Sequence, residues 1–143
     1  MSSRCGVLQA SRIVVNKGRR EMLLLAGESV LRSYRIALGT CPIGHKEREG
    51  DGRTPEGVYC IDWRNQRSRY HLSLHVSYPS DSDCARAGEA GYDPGGDIMI
   101  HGQPSDGRRP AGDWTQGCIA VSDAEIGEIW SLVPDGTAIE IRQ

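Results

Sequence analysis

The amino-acid sequence predicts a mostly β fold with one or two short helices. Short apolar runs recur along the chain, and several of them alternate with polar residues in the two-residue period of a strand. The 18 glycines and 7 prolines supply the turns that short strands need. With 143 residues, 38% of them apolar, the chain is long enough for one domain around a single core.

The segment from Ser11 to Leu38 predicts a β-meander. Three apolar runs, SRIVVN, EMLLLA and SVLRSYRIAL, are separated by turn signals at Lys17-Gly18 and Gly27-Glu28. The next segment, GTCPIGHKEREGDGRTPEG, is rich in glycine, proline and charge and has no regular period. We therefore expect a long loop there with a functional role.

Two strands, a short helix and a third strand are expected next. The runs VYCIDW and RYHLSLHVSYP are typical of strands, and the second alternates apolar and polar residues. The run SDSDCARAGEAG predicts a short surface helix that begins at Ser80 or Asp81. A strand from Ile98 to Ile100 then ends directly on His101 and Gly102, which places the imidazole where the sheet gives way to a loop.

The last part of the chain predicts a helix and a closing strand. Ser122 and Glu125 match a capping box, and apolar residues follow at helical spacing. Pro134 stops the helix, and TAIEIR is typical of a strand.

Charge and hydropathy bound the partners of the protein. The net charge of -2 gives no general attraction to nucleic acid or to an anionic membrane. No apolar run is long enough for a transmembrane helix, and MSSRCGVLQA lacks the features of a secretory signal. From these residues alone we expect a cytoplasmic protein, or a mature fragment whose export signal was removed.

The five cysteines do not predict a metal site. They are scattered and form no C-x-x-C pair, which argues against zinc, and their odd number leaves at least one thiol unpaired. We expect Cys5, Cys41, Cys60 and Cys84 to be reduced and mostly buried. No cofactor and no metal is therefore expected, although His71 and His75 are four residues apart, because the alternation around them favours a strand over a metal-binding helix.

Cys118, in the stretch DWTQGCIAVSD, is a candidate nucleophile. A cysteine attacks as the thiolate, which requires a nearby imidazole or positive dipole at neutral pH. His101 lies upstream at a strand end and can serve as that base. Gly117 lets backbone approach the reacting carbon, and the amides of Gly117 and Cys118 could form an oxyanion hole. The spacing alone leaves two interpretations open, a cysteine and histidine acyl-transfer site and a buried structural cysteine.

The motifs resemble those of a known family. The run I-M-I-H-G, followed by T-Q-G-C-I-A, is similar to the signature of the L,D-transpeptidase catalytic domain, the YkuD-like family, in which a histidine is followed after a gap by Ser/Thr-x-Gly-Cys. The runs RIVVNKGRREMLLL, YRIALG, DGRTPEGVYCID and SLHVSYP and the tripeptide Gly44-His45-Lys46 also resemble the short bacterial branch of this family. The resemblance covers nearly the whole chain from about Ser11.

The resemblance implies a fold and a chemistry. The fold would be a β-sandwich-like catalytic domain over residues 11–143, after an N-terminal extension over residues 1–10. Cys118 would attack a carbonyl of a peptidoglycan stem peptide, at the L-centre of diaminopimelate, and expel D-alanine. His101 would move the protons, and the carbonyl of Gly102 would orient its ring.

The resemblance also implies partners and a location. The partners would be peptidoglycan stem peptides and, as for some members of the branch, a wall-linked lipoprotein. The protein would be periplasmic or wall-facing. Many members carry histidine before the Gly-Cys pair and arginine or asparagine two residues after the cysteine, where this chain has Gln116 and Ala120. The acyl acceptor therefore stays open between an amine, as in a transpeptidase, and water, as in a carboxypeptidase or a peptidoglycan–lipoprotein amidase, with a non-catalytic peptidoglycan-binding module as a further alternative.

Five residues are candidate substrate contacts. Arg53 could bind a free carboxylate from its loop, or be a solvated arginine. Trp114 could form a wall of the cleft, although packing on the following helix is favoured. Thr115 could bond the backbone of the site or shape the turn. Gln116 stands beside the Gly-Cys pair, and His75 lies on the polar face of its strand, where a plain surface histidine is the alternative.

Overall fold

The computed structural model of the protein describes residues 8–143, and eight strands in them form one continuous sheet. Along the sheet the strands run in the order β3-β2-β1-β8-β4-β5-β6-β7. The predicted mostly β fold is confirmed. Its strands are β1 (Arg12–Asn16), β2 (Glu21–Ala26), β3 (Ser29–Arg35), β4 (Gly57–Ser68), β5 (His71–Val76), β6 (Met99–His101), β7 (Ile119–Ala120) and β8 (Ala138–Arg142).

The sheet curves until its two ends meet. After β3, Ala37 bridges to Ala120 of β7, and Gly39 bridges to Thr115. The long strand β4 makes the turn between layers, because its first residues pair with β8 and its later residues pair with β5. A bulge between Ile61 and Trp63 lies at this changeover, as expected for a strand that bends from one layer into another.

The two predicted helices are present and capped as expected. Helix α1 (Asp81–Glu89) begins at the N-cap Ser80, and helix α2 (Asp123–Leu132) begins at the N-cap Ser122, each with a complete capping box. Ile126 and Ile129 of α2 are buried in the core beneath the sheet. The helix packs against strands β5 and β6, the second of which ends at His101. In the described residues, neither helix is long and apolar enough to cross a membrane.

The predicted long loop follows β3 and is fastened to the sheet by one buried lysine. The ammonium group of Lys17 is fully buried and donates to the carbonyls of Gly44 and Thr54, at 2.9 and 2.8 Å, and to the carboxylate of Glu56 at 3.1 Å. Burial lowers the pKa of Lys17, and the Glu56 carboxylate opposes that shift. A loop that would otherwise be loose thus has a fixed path past the cysteine turn.

The structure corrects two details of the expectations. Cys41 and Cys84 are exposed and Cys60 is half-buried, so these cysteines are free but not mostly buried, because one lies on a loop and another on the outer face of α1. Cys5 lies outside the described residues. The two-residue strand β7 was not expected, since a strand this short has no period to detect.

The proposed boundary after residue 10 stays a prediction. Ala10 is already buried, and its amide donates to the carbonyl of Leu132 at 2.8 Å. Packing against the core therefore extends at least one residue before Ser11.

Candidate active site

Two neighbouring strands bring His101 and Cys118 to one face of the sheet. Strands β6 and β7 are parallel, with Ile100 opposite Ile119 and His101 opposite Ala120. The same register places Met99 opposite Cys118. Because alternate residues of a strand face the same side, the imidazole and the thiol lie on one face as diagonal neighbours.

His101 is buried and held in one tautomer. His101 is only 2% exposed, and its Nδ1–H donates to the carbonyl of Gly102 at 2.7 Å. A carbonyl oxygen can only accept, so Nδ1 carries the proton and Nε2 is left as the basic nitrogen. Burial lowers the pKa of His101, and the bond to Gly102 partly opposes that shift. The resting imidazole is neutral, as a general base has to be.

Aromatic rings fix the plane of the imidazole. Tyr70 stacks on His101 with ring centroids 4.3 Å apart and an angle of 19° between the planes. Trp114 is tilted against both rings, with centroids 5.7 Å away from each. Trp114 therefore lines the cleft beside His101, and it also lies in a second cavity with Ser122 and Asp123 at the start of α2.

The thiol of Cys118 rests in a neutral state. Sγ donates to the carbonyl of Asp97 at 3.2 Å and accepts from the amide of Met99 at 3.4 Å. Burial raises the pKa of Cys118 to about 11. Asp97 itself has φ of 55°, a left-handed conformation that few residues other than glycine adopt, and its carbonyl is the thiol's acceptor. Transfer of the thiol proton to His101 requires Sγ to turn away from this carbonyl.

Two threonines hold the turn that carries the thiol. Thr115 is buried, and its hydroxyl donates to the carbonyl of Cys118 at 2.8 Å while accepting from the amide of Gly117 at 3.1 Å. Thr54, on the long loop, donates from its hydroxyl to the carbonyl of Gly117 at 2.8 Å. Thr115 therefore bonds the backbone of the site. Of the two amides expected to form an oxyanion hole, that of Gly117 is buried and donates to Thr115, so the role of Gly117 stays a prediction and the amide of Cys118 is the stronger candidate.

Gly117 is required by close packing. It has φ of 127°, and a Cβ atom there would lie 2.6 Å from the carbonyl oxygen of Arg53. Only glycine fits such an approach. The cysteine turn and the long loop thus meet backbone to backbone.

Two cavities meet at Cys118 and His101. One, of about 230 Å³, follows the face of β5 and β6 and includes Ser73. The other, of about 510 Å³, extends toward the long loop and includes Gln116. Both also include Asp97, so a substrate could occupy either side of the thiol. The charged residues Arg69 and Asp97 line both cavities, and the larger cavity is also lined by Lys46, Glu49 and Arg108.

Not every predicted substrate contact reaches these cavities. The guanidinium of Arg53 pairs with Glu47 at 3.1 Å and lines a separate cavity against α1, so it does not face the thiol. His75 lies on β5 one row beyond Ser73 and pairs with Asp62 rather than lining either cavity. Gln116 is exposed in the larger cavity.

Three residues of the site were not expected from the sequence. Tyr70 was assigned only to the apolar face of a strand, Thr54 was hidden in a loop, and Asp97 acts through its backbone. The only signal for Asp97 was its position after two glycines and directly before the strand that ends at His101. Within residues 8–143, no group of three or more His, Cys, Asp or Glu side chains is arranged to hold a metal ion.

The fold and the site together define a β-sheet domain whose cleft holds a cysteine and a hydrogen-bonded histidine on one face. A sequence profile described as YkuD, the L,D-transpeptidase catalytic domain, matches residues 10–141. The chain therefore belongs to the L,D-transpeptidase catalytic-domain family, and the resemblance drawn from its motifs is confirmed. It is 33% identical over 107 residues to a protein of Escherichia coli K12 named "Putative L,D-transpeptidase YafK", a match that covers 73% of this chain and 37% of that protein.

Solved structures share the fold. Pgp2, a helical cell shape determining protein from Campylobacter jejuni, has a TM-score of 0.75 at 24% identity, over 94% of this chain and 48% of that chain. An L,D-transpeptidase from Mycobacterium smegmatis has a TM-score of 0.62 at 14% identity, over 94% of this chain and 59% of that chain. The chain thus spans between 37% and 59% of the length of these relatives.

Proposed function

We propose that the protein catalyses cysteine-dependent acyl transfer on peptidoglycan stem peptides, as an L,D-transpeptidase. The observation that carries the proposal is the His101–Gly102 hydrogen bond, which leaves a basic Nε2 on the face and in the cavities that also hold the Cys118 thiol. Membership of the L,D-transpeptidase family supports the substrate class. Because that substrate lies outside the inner membrane, we propose a periplasmic or wall-facing location.

The proposed reaction has two halves. In the first, Sγ of Cys118 leaves the Asp97 carbonyl, gives its proton to Nε2 of His101 and attacks the carbonyl carbon at the L-centre of diaminopimelate. The peptide C–N bond then breaks, His101 returns the proton to the leaving amine of D-alanine, and a thioester remains. In the second half an amine of another stem attacks the thioester carbon, and His101 takes the proton of that amine. The C–S bond then breaks as the new amide forms, and His101 returns the proton to Sγ to regenerate the thiol.

The arrangement of the site suits the charges that develop. The Cys118 amide is the proposed donor to the oxyanion, and the ring of Tyr70 covers one face of the imidazolium as it forms, a favourable cation–π contact. The Thr115 and Thr54 hydroxyls hold the turn, so its backbone needs no rearrangement during the reaction. The neutral resting thiol protects the nucleophile until substrate displaces it from Asp97.

Intact-protein mass spectrometry with disaccharide tetrapeptide tests the proposal. We expect an acyl adduct on the native protein, none on Cys118→Ala, and an unchanged adduct on the matched control Cys84→Ala, whose thiol is exposed on α1. Cross-linked dimer in the soluble fraction supports the transpeptidase, whereas an adduct that resolves only to trimmed peptide identifies a hydrolase. Absence of any adduct with this substrate and with lipoprotein-linked muropeptides would refute acyl transfer and leave a binding module.

A further inference from the structure

An exposed aromatic pair stands on the same sheet face as the thiol. Trp63 of β4 is 44% exposed, and its indole stacks on the imidazole of His75 with centroids 4.5 Å apart and 11° between the planes. Nδ1–H of His75 donates to the carboxylate of Asp62 at 2.6 Å, which fixes the imidazole under the indole. We name Trp63, His75 and Asp62 the Trp63 platform. The proposed reaction uses none of these three side chains.

The sheet register connects the Trp63 platform to the thiol. Trp63 is paired with His75, and His75 is paired with Met99. The amide of Met99 in turn donates to Sγ of Cys118 at 3.4 Å. Trp63, His75, Met99 and Cys118 thus form one row across four adjacent strands. Three strand spacings of about 4.8 Å each separate the ends of this row, a distance of about 14 Å.

We propose that the Trp63 platform binds a pyranose ring of the glycan strand to which the stem peptide is attached. This inference rests on the proposed function, since it names the part of that substrate that lies beyond the peptide. A partly exposed indole offers an apolar surface to the C–H face of a sugar. The Asp62 carboxylate, whose side chain is 38% exposed, lies beside it as an acceptor for sugar hydroxyl and amide groups.

The length of the stem fits the row. Between the sugar and the attacked carbonyl lie the lactyl group, two residues and the third residue itself. Four extended units at roughly 3.3–3.6 Å each span at least about 13–14 Å. A stem laid along the row from Trp63 to Cys118 is therefore long enough to bring the carbonyl of its third residue to the thiol.

Titration with a peptide-free disaccharide of N-acetylglucosamine and N-acetylmuramic acid tests the Trp63 platform without any reaction. In ¹⁵N-edited NMR spectra we expect the indole N–H signal that is missing from Trp63→Ala to shift on titration. Tyr92→Ala is the matched control, because Tyr92 is 47% exposed and lies beside the Arg48 guanidinium, away from this row. Its spectrum should show the same shift as the native protein. An unshifted Trp63 signal at saturating disaccharide would overturn the proposal.

Steady-state kinetics tests whether the contact serves the substrate. Trp63→Ala should raise KM for disaccharide tetrapeptide by roughly fivefold to tenfold, the size expected for loss of one stacking contact, with kcat unchanged. KM for the sugar-free tetrapeptide should not change, and Trp63→Tyr should restore most of the affinity. Equal effects on both substrates would overturn the proposal. If neither substrate turns over and lipoprotein-linked muropeptides give no adduct, the proposed function is refuted, while the disaccharide titration still decides sugar binding.

Discussion

Replacement of Gly117 by alanine should damage both stability and activity. The added Cβ would lie 2.6 Å from the Arg53 carbonyl oxygen and 3.3 Å from Cδ1 of Ile98, at a φ of 127°. The unfavourable φ costs roughly 1–3 kcal/mol, and forcing a methyl group into a packed site costs roughly 1–3 kcal/mol more. We therefore expect a loss of about 4 kcal/mol in the free energy of unfolding, a large share of the 5–15 kcal/mol typical of a domain.

Urea and thermal unfolding measure the loss of stability, and turnover of disaccharide tetrapeptide measures the loss of activity. At about 3 °C per kcal/mol, the melting temperature should fall by roughly 10 °C. Since the strain is relieved by moving the cysteine turn, kcat/KM should fall by about 100-fold. Gly127→Ala is the control, because that glycine lies in α2 with open space around its Cβ position, and the change should stabilise by about 0.5–1 kcal/mol. If Gly117→Ala keeps native stability and turnover, the close approach of the two loops does not constrain the site.

Three further changes test the supporting structure. Lys17→Met should destabilise by about 3–5 kcal/mol in urea unfolding, because it leaves two carbonyls and the Glu56 carboxylate without their buried donor. Arg142→Met is the control, since it removes only a solvent-exposed ion pair and should leave the free energy of unfolding almost unchanged. Burial raises the pKa of Asp83, but hydrogen bonds from Ser80, Tyr59 and His45 outweigh burial and lower this pKa from 3.8 to about 2. About 2 kcal/mol of stability that is present above pH 4 should therefore be lost as the pH falls toward 2. Asp83→Asn should remove this acid-dependent loss of stability. The rate at which iodoacetamide alkylates Cys118, followed by peptide mass mapping, should rise about tenfold per pH unit between pH 7 and 10, because the thiol pKa is about 11. A rate that is constant below pH 8 would show a resting ion pair with His101 instead.

Local sequence signals were sufficient for most elements of the fold. The capping box at Ser122 and the N-cap candidates Ser80 and Asp81 predicted where the two helices begin, because a cap is a contact between residues two or three apart. The alternation of apolar and polar residues in RYHLSLHVSYP predicted strand β5, because a two-residue period is also a local pattern. Strand β7 and the bulge in β4 escaped, since two residues contain no period and a bulge depends on the partner strand.

Part of the candidate site was likewise predicted from a local motif, and the rest depends on contacts between distant segments. Cys118, His101 and Gly102 were predicted from a motif, and the hydrogen bond between His101 and Gly102 joins neighbouring residues. The sequence left Arg53 open between a carboxylate-binding residue and a solvated loop arginine, and the guanidinium pairs with Glu47 while the Arg53 carbonyl approaches Gly117. No pattern within one segment can reveal which part of a loop residue faces a turn more than 60 positions away.

The sequence by itself determined most of the strand and helix pattern and the family, and it singled out Cys118 and His101 as the candidate pair, because these signals are local patterns and motifs. Only the tertiary structure decided that Asp97 holds the resting thiol, that Tyr70 stacks on the imidazole and that Thr54 fastens the cysteine turn. It also decided that Trp63 and Cys118 share one row. These contacts join separate segments through strand pairing and close packing, and their geometry depends on how the whole sheet curves.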